Sequence, residues 1–162
     1  MDAAVVVALG SNLRGDYAST QSLLEATRQS LAGAGFQIIA RSRWWRSQAW
    51  PNPADPPFLN GVCLVETDLG PVQALEVLHG LELEFGRDRH LANAPRTLDL
   101  DLIAYGRTVS AAPSLPHPRA HERRFVMAPL AEIAPDWVHP TLGRRASDLA
   151  TQAEVGKDAE PL

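Results

Sequence analysis

Lysine is almost missing from this chain of 162 residues: of 15 basic side chains only Lys157 is one, and the rest are arginine. Two explanations stand side by side. Arginine is the residue suited to bidentate phosphate contacts, and a base-composition bias in the genome would leave the same skew. Cysteine is equally scarce, with Cys63 alone, which excludes an intrachain disulfide or a thiolate metal cluster and makes a small core residue the expected role. Excess positive charge is lacking too. The formal net charge of -4 leaves no basic field over the molecule and argues against general nucleic-acid binding. No apolar run approaches the length of a membrane span, and the first residues lack a basic-then-apolar signal pattern, so a cytoplasmic protein is expected.

What is present is globular: 45% apolar and 21% charged residues, enough for one core. We expect a single domain over residues 1–152 and a disordered polar tail over 153–162. Residues 3–9 read as a buried strand halted by a turn at Gly10-Ser11-Asn12. Leu23, Leu24, Thr27 and Leu31 recur at helical spacing over 17–32, with Asp16 as cap. Residues 36–46 and 58–67 alternate as strands, and a helix opening at Pro71 carries Ala74, Val77, Leu78, Leu81 and Phe85 on its core face. Further helices are expected over 125–133 and near 146–150.

The chain is organised around residues 93–106. If 97–105 is a strand, Leu98, Leu100 and Leu102 point one way and Asp99, Asp101 and Ile103 the other. Two carboxylates side by side suit either the wet face of an edge strand or a hard cation such as Mg²⁺ shared with substrate phosphates. Arg87, Arg89 and Arg96 lie close by in sequence and form the set of forks a triphosphate needs.

Other candidates carry two readings each. Pro51, Pro53, Pro56 and Pro57 make residues 47–57 an irregular loop and a candidate lid, in which Trp50 either covers a flat substrate or anchors the loop. Asn60 interrupts an apolar strand, so its amide either fixes the neighbouring loop or reads a ligand edge. Glu82 borders the apolar face of its helix and reads by default as solvated. His117, between Pro116 and Pro118, is a better site candidate than His79, His90 or His139.

Taken together, Ala94-Pro95-Arg96-Thr97-Leu98-Asp99-Leu100-Asp101-Leu102, Ala8-Leu9-Gly10-Ser11-Asn12, Phe58-Leu59-Asn60, Glu82 with Gly86-Arg87 and Arg89, and Leu115-Pro116-His117-Pro118-Arg119 with His121-Glu122-Arg123-Arg124-Phe125 resemble the 6-hydroxymethyl-7,8-dihydropterin pyrophosphokinases of the folate pathway. The resemblance runs from Val5 to about Leu149. It implies transfer of diphosphate from ATP to the hydroxymethyl group of the dihydropterin, with release of AMP. It further implies that Asp99 and Asp101 hold two Mg²⁺ ions bridging the ATP phosphates and the attacking hydroxyl. Arg87 and Arg96 would stabilise charge on the phosphates, and Arg89 would close over them. His117 and Arg123 would serve the triphosphate and Glu82 the nucleotide side. Asn60 would read the pterin edge, with Phe125 on one ring face, Phe58 where the family often has tyrosine, and Ser47, Gln48, Ala49 and Trp50 lining the pocket. Many family members carry Arg-Trp-Gly where this chain has Ala92-Asn93-Ala94.

The fold expected is α+β, a ferredoxin-like core with an antiparallel sheet flanked by helices and long active-site loops. A monomer acting on small molecules is expected, without nucleic acid or membrane. Two alternatives stay open: a non-catalytic pterin- or nucleotide-binding paralogue, and another two-metal phosphoryl or nucleotidyl transferase.

Overall fold

The computed structural model of the chain describes residues 4–49, 52–86 and 98–162. Strand β1 (Val5–Ser11) is followed by α1 (Thr20–Gly33), β2 (Gln37–Arg41), β3 (Trp45–Ser47), β4 (Phe58–Glu66), α2 (Pro71–Glu84) and β5 (Asp99–Tyr105). The sheet order is β5-β1-β4-β3, with β2 also on β4, and every pairing is antiparallel. β2 and β3 lie end to end along one edge of β4, and counted as one strand they give the β-α-β-β-α-β succession expected of a ferredoxin-like core. A small hairpin, β6 (Ser110–Ala111) and β7 (Ser114–Leu115), a short 3-10 turn (Ala120–Glu122), α3 (Arg124–Ile133), α4 (Ala146–Gln152) and β8 (Glu160–Pro161) complete the chain.

Strand periodicity sorts the core into two layers. Val5, Val7 and Leu9 of β1, Cys63 and Val65 of β4, and Leu100 and Leu102 of β5 pack under α1 and α2 with Leu24, Leu31, Leu78 and Leu81. The intervening residues Val6, Ala8, Val62, Leu64 and Ile103 face the opposite way, onto Val126, Met127 and Leu130 of α3 and Leu149 of α4. Each fully buried aliphatic side chain contributes about 1.5–3 kcal/mol, so the apolar alternation decides which face each polar residue must share. Cys63 is a core residue, as expected. Burial pushes its thiol up to about 11, which leaves it inert.

Several local expectations are corrected. Ser19, not Asp16, caps α1: its side chain accepts from the Ser22 amide at 3.0 Å. The strand expected over 36–46 is two strands, because the Ser42 hydroxyl accepts the Val62 amide at 2.9 Å in place of the ladder bond and Gly61 leaves room for the Trp44 ring. Gly10 and Ser11 belong to β1 rather than to a turn.

The tail over 153–162, expected to be disordered, is folded onto the body. The Val155 amide donates to the Glu122 carbonyl at 3.0 Å, the Arg124 amide donates to the Val155 carbonyl at 2.8 Å, and β8 pairs antiparallel with β3. Its composition is polar because backbone hydrogen bonds, together with the buried Ala153 and Ala159, hold it in place of a large apolar face.

Candidate active site

On the α3 side of the sheet one row of residues leaves a hollow. Gly10 pairs with Asn60 on β4 and with Asp99 on β5, and Ala8 pairs with Val62 and Asp101. The alternation that buries Ile103 and Val62 on this face brings Asp99, Asp101 and Asn60 to it as well. Between them β1 offers only a hydrogen and a methyl group. The result is a cavity of about 900 Å³ whose floor is Ala8, Gly10, Asn60, Asp99 and Asp101. Ser47, Gln48, Ala49 and Phe58 form one wall, Arg123, Phe125 and Val126 at the start of α3 another, and residues 154–158 close the side nearest Phe125.

Gly10 is required by close approach: a Cβ there would overlap Asn60 Oδ1. The Asn60 amide oxygen thus reaches over β1 into the space beside Gly10, on the floor of the cavity. Arg123 sits with its guanidinium carbon 5.9 Å from the Phe125 ring centroid, placing a fixed positive charge beside the aromatic wall.

Glu82, read as solvated, is buried. Its Oε2 accepts the Leu100 amide at 3.1 Å, so the carboxylate covers the outer edge of β5 between the two aspartates. It stands behind the strand, outside the residues lining the cavity. An edge amide left without an acceptor under a helix would cost about 1–3 kcal/mol; Glu82 removes that cost and fixes the stretch that carries Asp99 and Asp101.

His117 is half-buried beyond Asp101. Its amide donates to the Ile103 carbonyl at 2.8 Å, and its Nδ1 accepts the Arg119 amide at 3.1 Å. That bond leaves the proton of the neutral ring on Nε2. Burial lowers the pKa of His117, Asp101 opposes that shift, and Arg123, Arg119 and His121 add to it.

The structure therefore brings together Ser47, Gln48, Ala49, Phe58, Asn60, Asp99, Asp101, Arg123 and Phe125, sets His117 and Glu82 on the flanks of β5, and leaves Trp50, Arg87, Arg89 and Arg96, with the Ala92-Asn93 departure, outside the described residues. Residues 154–158 are an unexpected part of the lining, and Ala8 and Gly10, part of a motif shared with the family, line the floor where a turn at Gly10 is expected. Gly10 after an apolar run looks like a turn, and small residues inside a polar tail give no period to read.

The donor set suits a hard divalent cation only in part. Asp99 and Asp101 supply carboxylate oxygens, and among the described residues no group of three or more His, Cys, Asp or Glu could hold a metal. A pair rather than a cage matches Mg²⁺, which completes its shell with water and substrate phosphates.

The acidic strand of this antiparallel α+β domain thus borders a pocket that Phe58 and Phe125 also line. The chain belongs to the 7,8-dihydro-6-hydroxymethylpterin-pyrophosphokinase (HPPK) family, whose model matches residues 6–135. It is 39% identical over 151 residues to the 2-amino-4-hydroxy-6-hydroxymethyldihydropteridine pyrophosphokinase of Synechocystis, covering 92% of this chain and 75% of that one. The enzyme of the same name from Pseudomonas aeruginosa is 40% identical over 148 residues, covering 90% and 88%. Among solved structures, a triple mutant of Plasmodium falciparum HPPK-DHPS superposes with a TM-score of 0.72 at 12% identity, covering 98% of this chain and 47% of that one. The chain thus spans about half the length of that solved protein, and the likeness there is one of fold. No helix among the described residues is long and apolar enough to cross a membrane.

Proposed function

We propose that the protein transfers diphosphate from ATP to the hydroxymethyl group of 6-hydroxymethyl-7,8-dihydropterin, releasing AMP. The observation that carries this reading is the juxtaposition, across Gly10, of the Asp99–Asp101 pair with the Asn60 amide in one cavity that Phe58 and Phe125 also line. In the reaction the hydroxymethyl oxygen forms a bond to the β-phosphorus of ATP. The bond from that phosphorus to the oxygen bridging to the α-phosphorus breaks, AMP leaves with the electron pair, and the hydroxyl proton passes to water.

The protein's part is positioning and charge. Asn60 presents one acceptor and two donor hydrogens to the amide and ring nitrogens of a pterin. Phe58 and Phe125 offer aromatic faces for the bicyclic ring, while Ser47, Gln48 and Ala49 supply the wall behind it. Arg123 and His117 serve the phosphates from the α3 side, and Arg87, Arg89 and Arg96 serve them from the segment before β5. Glu82 acts on the nucleotide side through β5, by holding Leu100 between the two aspartates. Asp99 and Asp101 would hold Mg²⁺, two ions in this reading. Bound there, the metal neutralises phosphate charge and aligns the transferred group.

Replacing Asp101 with alanine separates this enzyme from a binding paralogue. Turnover should fall by about 10²–10³-fold or more, while dihydropterin still binds at the aromatic end. Turnover within about threefold of the native protein would contradict the assignment.

A further inference from the structure

The segment after α4 is anchored at two places and runs along the cavity between them. At one end the paired backbone bonds of Val155 with Glu122 and Arg124 tie it to the start of α3. At the other, Ala159 is buried, β8 pairs with β3, and the Leu162 amide donates to the Trp44 carbonyl at 3.0 Å. Gly156, Lys157 and Asp158 span the interval, and all three line the cavity.

Two contacts within that span reach the expected pterin walls. Gly156 has φ +73, and a Cβ on it would stand 2.6 Å from Phe125 Cδ1, so the backbone at Gly156 lies directly against the Phe125 ring. The Asp158 Oδ2 accepts the Gln48 amide at 2.6 Å, a short bond from a charged acceptor to the first residue after β3. One strap therefore sets both the ring of Phe125 and the backbone of Gln48 and Ala49, two walls that come from parts of the chain distant in sequence.

We propose that Gly156 and Asp158 are positioning residues for the dihydropterin: the strap fixes the width of the pterin slot by seating Phe125 and docking the start of the 48–57 loop. This rests on the function proposed above. Neither residue needs to touch the reacting phosphorus, so their effect falls on recognition of the pterin and not on ATP.

The test uses the full chain with Gly156→Ala, Asp158→Ala and Asp158→Asn, measuring KM for each substrate, the Kd of the dihydropterin by titration calorimetry with a non-hydrolysable MgATP analogue present, and the thermal midpoint. Gly156→Ala and Asp158→Ala should each raise KM and Kd for the dihydropterin about tenfold, equivalent to about 1.4 kcal/mol, with KM for ATP within about twofold. Asp158→Asn keeps an acceptor oxygen and should recover most of the loss. A lowered thermal midpoint with dihydropterin affinity unchanged would make the strap merely structural and overturn the proposal. A parallel rise in both KM values would overturn it too. Native protein that binds and converts no dihydropterin would overturn the proposed function itself and the strap's role with it, an outcome distinct from an active native protein with indifferent variants.

Discussion

Gly10 and Asn60 face each other across the β1–β4 ladder, and the space where a side chain at Gly10 would stand is taken by the Asn60 amide oxygen. That contact sets the position of an amide in the cavity that Asp99, Asp101, Phe58 and Phe125 also line.

Gly10→Ala should therefore fold and yet lose pterin recognition. The added methyl meets the end of a side chain rather than backbone, so Asn60 swings away and the sheet stays intact. Loss of the amide's hydrogen bonds costs about 1–3 kcal/mol of dihydropterin binding. Calorimetric titration alongside a melting curve checks this; unchanged affinity would mean that the Asn60 amide does not read the ligand.

Glu82 should matter more for stability than an exposed helix carboxylate would. Glu82→Leu leaves the Leu100 amide without that acceptor and should cost about 1–3 kcal/mol in a urea unfolding curve. Glu82→Gln retains an acceptor oxygen and should lose less. Equal losses in the two variants would show that the bond to Leu100 is not what Glu82 contributes.

Much of this was legible beforehand, and the residues show why. The alternation of leucine and aspartate over 98–102 was enough to assign opposite faces, because a half-buried strand has a period of two whatever surrounds it. The helical spacing of Leu23, Leu24, Thr27 and Leu31 located α1 in the same way. Burial of Glu82 is not legible in the sequence because its partner is a backbone amide on a distant strand, which no local pattern encodes. The order of the tail is hidden for a related reason: Val155 and Glu160 are held by main-chain bonds to Glu122, Arg124 and β3, and the side chains carry no sign of such pairing. Gly10 reads as a turn in the sequence, since close approach between strands leaves the same letter as a bend.

Stability should fall in mild acid, with His139 contributing. Its ring is buried beside His121, 5.6 Å between centroids, and its Nδ1 accepts the amides of Thr141 and Leu142 at 3.2 and 3.1 Å. Burial, with His121 adding to it, holds its pKa below the ordinary 6.5. The unfolded chain then binds more protons than the folded one as pH drops below 6.5, so stability is present above that value and is lost as pH falls through the lower folded pKa. The thermal midpoint should decline as the pH falls below about 6.5, and His139→Asn, whose Oδ1 can take the same two amides, should flatten the decline. An unaltered slope in that variant would assign the acid sensitivity elsewhere.

The most direct test of the central claim is product analysis of the purified protein with MgATP and 6-hydroxymethyl-7,8-dihydropterin, resolving AMP from ADP. AMP and the pterin diphosphate are expected in equal amounts, with no ADP. ADP or free pyrophosphate as the nucleotide-derived product, or no AMP from folded protein, would contradict it.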